Sequence, residues 1–264
     1  MNAYMKSRQG GFTLVELAVV LVIIGLLLGA VLKGQEMIQN AQAKRVENDI
    51  KQVEVWIQEH KDRTGRLPGD CTHDGLIGFD LGNVADGEHE VTARATALSY
   101  TTANIIRATG TGTSPLAACP GIPDDAASTI AWTATDNANT PWNDLKYIGI
   151  VRVADANRTV ARLNHEDFVF IGNVIDPSDG ETRYNAMLIS NLPVWMARQI
   201  ATSINGYDEP ANRGRFRHLA RDIEAGTEVT YNAAWTEDAR SEEASQYVNA
   251  IYFFDRIPPY VREE

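Results

Sequence analysis

Beyond Leu32 the chain has no second apolar run long enough to cross a bilayer as a helix, so a single helical span is expected. Basic residues are in deficit: 24 Lys and Arg against 35 Asp and Glu leave a net charge of −11. Such a surface repels a phosphate backbone, so no nucleic-acid partner is expected. Proline is missing from Phe12 to Arg63, and nothing there breaks a helix, although Gly25, Gly29 and Gly34 soften it. The polar turn after Leu32 offers no small-x-small cleavage site, and no cysteine stands where a lipoprotein needs one. A conventional cleaved secretory signal is therefore not expected. Catalytic groups are thin as well. No serine or cysteine sits in a nucleophile-elbow context, Gly110-Thr111-Gly112 lacks the rest of a phosphate loop, and His165-Glu166-Asp167 are neighbours that point in different directions. The chain is not expected to be an enzyme.

What is present is concentrated near the N-terminus. Arg8-Gln9-Gly10-Gly11-Phe12-Thr13-Leu14-Val15-Glu16 runs directly into the apolar stretch Leu17–Leu32. One carboxylate, Glu16, thus stands at the mouth of a segment otherwise suited to hydrocarbon. A charge at the centre of a membrane helix costs roughly 2.5–3.5 kcal/mol, so a buried glutamate needs a partner. Cleavage after Gly11 would create one: the Phe12 amine, one helical turn from Glu16. Beyond Leu32 the pattern turns amphipathic, with Val46, Ile50, Val53 and Ile57 at helical spacing and Lys44, Glu47, Asp49, Lys51 and Glu54 on other faces. The spacing predicts a helix over residues 12–64, about 75–80 Å long, ended by Gly65 and Leu67-Pro68-Gly69. Gly25 and Gly29 form a small-x-x-x-small pair through which two helices can approach closely.

This block resembles the leader and first helix of the type IV prepilin and type II secretion pseudopilin superfamily. The basic leader (Lys6 and Arg8, no acid), the Gly11–Phe12 junction, Glu16 as the fifth residue from Phe12, and the long apolar helix carry the resemblance. It implies that residues 1–11 are a leader removed by prepilin peptidase, that Phe12 is N-methylated, and that Glu16 pairs with the Phe12 amine of an adjacent subunit during assembly. Residues 12–32 become a transmembrane segment and then filament core, and residues 65–264 a periplasmic or extracellular head. Removing residues 1–11 takes away Lys6 and Arg8 and no acid, so the charge of −11 becomes −13. Many members carry a proline about twenty residues into the mature chain; Lys33 stands there in this sequence. The implied partners are other subunits, the prepilin peptidase/methyltransferase, an inner-membrane assembly platform and the lipid bilayer. With both cysteines on the oxidising side, one disulfide between Cys71 and Cys119 is favoured, two reduced thiols being the alternative. Its loop would contribute about 4 kcal/mol by chain-entropy arithmetic.

The head is expected to be α+β, with an antiparallel sheet packed on the helix and an irregular lobe over residues 70–140 that includes a short helix near Thr92–Arg107. Strands are predicted at Lys146–Val153, Asp167–Ile175, Tyr184–Ser190 and Tyr247–Phe254. A helix follows Pro193, with Val194, Ala197, Ala201 and Ile204 inward and Asn205-Gly206 at its end. Acidic loops occur at Asp70, His73, Asp74, Asp80, Asp86, Glu88 and His89, and at Asp176, Asp179 and Glu181. Calcium wants six to eight oxygens. The Asp70–Asp74 spacing does not match the twelve-residue calcium loop, so solvated turn aspartates are expected; a structural calcium, if held, would use Asp70 and Asp74. Zinc through His73 and His89 lacks a tight ligand pair. The cluster Arg213, Arg215, Arg217, His218 and Arg221 is expected to meet the protein's own carboxylates or a neighbouring subunit. Trp56 and Trp195 sit on helical stripes and are expected in the core. Together these features point to a structural subunit of a pilus or pseudopilus, in the inner membrane and then in a fibre. The bulky head favours a minor subunit. The alternative is an adhesive, binding or enzymatic domain on an uncleaved anchor.

Overall fold

A computed structural model describes residues 14–82, 138, 140–152, 155, 157–162, 168–177, 180–207, 209–220, 228–235 and 247–259. The chain divides into two compact units, one up to Ala41 and one from Gln42. Among its described residues the first contributes only helix, the N-terminal part of α1 (Leu14–Thr64). Its seven leucines from Leu14 to Leu32, its alanines and the absence of proline sustain it, although Val and Ile are also frequent. Gly65 follows the last turn at φ +79°, a conformation open to glycine, and its N–H returns to Lys61 O at 2.8 Å.

In the second unit α1 changes character. Ala43, Val46, Ile50, Val53 and Ile57 are buried, at the spacing the sequence predicts. The other elements are α2 (Thr140–Tyr147), α3 (Asn157–Val160), β1 (Val169–Ile175), β2 (Arg183–Pro193), α4 (Val194–Asn205), β3 (Phe216–Leu219) and β4 (Tyr247–Tyr252). Among the described residues the strands form one four-stranded antiparallel sheet in the order β1-β2-β4-β3. The protein is α+β. Leu188 occupies the sheet centre, opposite Phe170 on one side and Ile251 on the other. Every residue of β1 is buried, so both faces of this strand are covered and its sequence is apolar without alternation, apart from the buried Asn173.

Three strands lie where the sequence placed them, with ends shifted by a few residues. The strand predicted at Lys146–Val153 is not formed. Lys146 and Tyr147 close α2 instead, whose Pro141 suits a first turn and whose Trp142 and Leu145 are fully buried. Leu145 O then accepts the N–H groups of Ile150 and Val151, turning the chain out of the helix. β3 was not anticipated: Phe216-Arg217-His218-Leu219 lies inside the basic cluster, yet all four residues are buried. The inner face of α4 also differs. Met196, Ala197, Ile200 and Ala201 are buried, while Val194, Trp195 and Ile204 pack partly on the core. The region Thr92–Arg107, His89, Gly110–Gly112 and His165–Asp167 lie outside the described residues.

Candidate functional site: the exposed apolar half of α1

From Leu14 to Leu32 the side chains of α1 are exposed, Leu14 at 87 % and Leu26 at 71 %. By length and composition this is one helix apolar enough to cross a membrane, and none of its most apolar window is buried. A contiguous exposed apolar surface of this size has no place in water and marks an interaction with lipid or protein. Glu16 lies in its first turn, where a carboxylate is favoured by the helix dipole. Around Gly25 and Gly29 an added Cβ would meet nothing within 4 Å. Space for a neighbouring backbone is therefore open at both positions. Gly11 and Phe12 lie outside the described residues.

The second half of α1 is fastened by polar contacts that the sequence did not reveal. Glu47 is 2 % exposed and receives Lys44 at 2.8 Å and Lys51 at 2.5 Å. Burial raises its carboxyl pKa, but hydrogen bonds from Lys44, Lys51 and Ser203 outweigh that and hold it below the ordinary range. Lys44 also lies 3.4 Å from Ser203 Oγ on α4. Near the C-terminal end of β4, the Tyr252 hydroxyl donates to Glu54 Oε2 at 2.8 Å. Burial and then that carboxylate push the phenol up to about 12. After the helix, Asp144 of α2 is buried and accepts from Arg66 Nη1 at 2.6 Å and from the Gly69 N–H at 2.8 Å, setting the turn 65–70.

Two members of the basic cluster meet the protein's own carboxylates, while His218 Nδ1 lies 2.7 Å from Ala234 O. Arg215 faces Glu54 at 3.9 Å, and buried Arg217 stands 3.6 Å from Asp176 while donating to Pro258 O. Arg221 lies outside the described residues. Asp70 and Asp74 serve the loop 70–76: Asp70 Oδ2 accepts the Gly75 N–H and Asp74 Oδ1 the Leu76 N–H. Among the described residues no three His, Cys, Asp or Glu form a metal-holding group. Cys71 is disulfide-bonded; Cys119, the expected partner, lies outside the described residues. Trp56 and Trp195 pack partly against the core.

The family model described as the prokaryotic N-terminal methylation motif matches residues 6–32. The type IV major fimbrial protein FimA of Dichelobacter nodosus is 35 % identical over 102 residues. Over the matched residues the chain is similar to a type IV pilin. The match takes in 38 % of this chain and 62 % of FimA, so the chain spans under two thirds of that relative. No solved structure matches. Motif and exposed helix coincide: the matched residues end at Leu32, where the exposed apolar stretch also ends.

Proposed function

We propose that this chain is a minor structural subunit of a type IV pilus or a type II secretion pseudopilus. Prepilin peptidase cuts it after Gly11 with the leader in the cytoplasm, and Phe12 is then methylated. The subunit waits in the inner membrane through residues 12–32 until the assembly platform moves it into a fibre. The observation that carries this reading is the bare apolar half of α1, headed by Glu16 and coincident with the methylation motif. Packing does the work. Helices of adjacent copies exchange lipid contacts for each other, and Glu16 neutralises the Phe12 amine of a neighbour, which sets the axial register. A pair withdrawn from water in this way is costly to break, because the remaining charge is left uncompensated.

Mass spectrometry of the purified mature protein tests the processing. A methylated Phe12 at the N-terminus supports the proposal, and an intact Met1 supports an uncleaved anchor instead. Glu16→Ala should be cut normally and yield few fibres. Wild-type fibre yield from that variant would remove the pairing role.

A further inference from the structure

We propose that the turn following α1 is an acid-sensitive latch, closed by the neutral imidazole of His60 and opened when that ring takes up a proton. His60 continues the buried stripe of α1 one turn past Ile57 and is itself fully buried. Its Nδ1 lies 3.0 Å from the Arg66 carbonyl oxygen. A carbonyl only accepts, so Nδ1 carries the proton and Nε2 is the bare nitrogen. The Thr64 hydroxyl, 3.1 Å from the same Nδ1, donates to the His60 carbonyl at 2.8 Å. Nε2 is buried and has no hydrogen-bond partner among the described residues. A second proton would place an N–H and a charge where no acceptor meets them. Burial accordingly makes the ring less basic than an ordinary histidine.

The same turn is held from α2. Asp144 Oδ2 accepts from Arg66 Nη1 at 2.6 Å and from the Gly69 N–H at 2.8 Å, and Leu67, Pro68, Gly69 and Asp70 are buried. His60 thus ties the turn to α1 while Asp144 ties it to α2. Among the described residues these two elements also set the charges against the ring: Asp144 favours its protonation and Arg66 opposes it. The two form an ion pair with each other, and loss of water outweighs both. In the opened turn the ring meets water and regains its ordinary value of 6.5, so the open form takes up the proton first. The closed form keeps its full advantage above that value. It loses ground as pH falls below it, until the buried ring protonates as well. The latch belongs to the head and is independent of whether the chain enters a fibre.

Hydrogen exchange of the full chain in detergent, corrected for intrinsic rates, tests the proposal. Within residues 65–78 the amides of Gly65, Asp70 and Gly78 are bonded to backbone carbonyls. Their protection should fall by up to about tenfold between pH 7 and 5.5, the limit for uptake of one proton. β1 and β2 should keep theirs. His60→Asn retains a donor for the Arg66 carbonyl and does not titrate, so its protection should not change over this range. His73, exposed in the following loop, titrates in the same region, and His73→Asn should leave the response intact. Should His60→Asn fail to fold, slow deuteration at the imidazole C2 of the natural chain reads His60 directly, with a midpoint below 6.5 expected. The latch is overturned by constant protection of the turn, by an equal loss in β1 and β2, by a response that survives in His60→Asn or vanishes in His73→Asn, or by a His60 midpoint at or above 6.5.

Discussion

The Tyr252 hydroxyl, near the C-terminal end of β4, donates to Glu54 of α1 across 198 positions of sequence. Tyr252 is 4 % exposed, and Arg215 approaches the other Glu54 oxygen at 3.9 Å. Strand, helix and the loop before β3 are thereby joined at one carboxylate.

Removing that hydroxyl with Tyr252→Phe keeps the ring and deletes the bond, so a loss of about 1–2 kcal/mol is expected in urea denaturation. The pH dependence has a definite sign. The folded phenol is pushed up to about 12, above its ordinary value of 10.0, so its contribution is complete below pH 10 and disappears as pH climbs from 10 to 12. Alkaline titration of stability should be less steep in Tyr252→Phe than in the natural chain over that window. Parallel curves would show that the bond carries no net stability.

Arg217 and Asp176 are both buried, 3.6 Å apart, and Tyr231 also donates to Asp176 at 3.1 Å. The guanidinium lies over the rings of Tyr231 and Phe253 at 4.9 and 5.1 Å. Asp176→Ala strands that cation in the core and should destabilise the head by about 3–5 kcal/mol. Arg217→Lys keeps the charge but loses the planar stack, so it should recover only part of the natural stability. Denaturation midpoints of the two variants decide this.

Gly172 of β1 lies against the Phe79 carbonyl, and a Cβ there would come well under 3.0 Å from that oxygen. The approach is set by backbone bonds in both directions: Asn173 N–H to Phe79 O at 2.8 Å and Leu81 N–H to Asn173 O at 2.9 Å. Gly172→Ala must push residues 79–81 off the strand, at a cost of about 1–3 kcal/mol. A thermal melt of the variant should fall by several degrees.

Gly25 and Gly29 face open space, so Gly25→Leu with Gly29→Leu should leave the stability of the head unchanged. If close helix approach drives assembly, the same pair of changes lowers fibre yield. Comparing fibre yield with the urea midpoint separates the two effects.

Much of the architecture was legible because its signals are local. The course of α1, its stop at Gly65, the strands β1, β2 and β4, and α4 between Pro193 and Gly206 all follow from spacing and turn residues. The strand expected at Lys146–Val153 failed because Tyr147, Ile148, Ile150 and Val151 have strand propensity, while the burial of Trp142 and Leu145 favours helix just before them. β3 stayed hidden because its Arg217 and His218 look like surface residues. They are buried only because Asp176, Pro258 and Trp235 arrive from elsewhere, His218 stacking on Trp235 at 5.2 Å.

The N-terminal half of α1 was determined by sequence alone: an apolar helix of membrane length with one acid in its first turn needs no tertiary partner to be recognised. The hydrogen bonds that define it run four residues back along the same chain. Which charges are paired, only the folded head decided. Glu54 meets Tyr252 and Arg217 meets Asp176 through chain separations that no local pattern encodes, since a charge shows its partner only once burial has brought the two together.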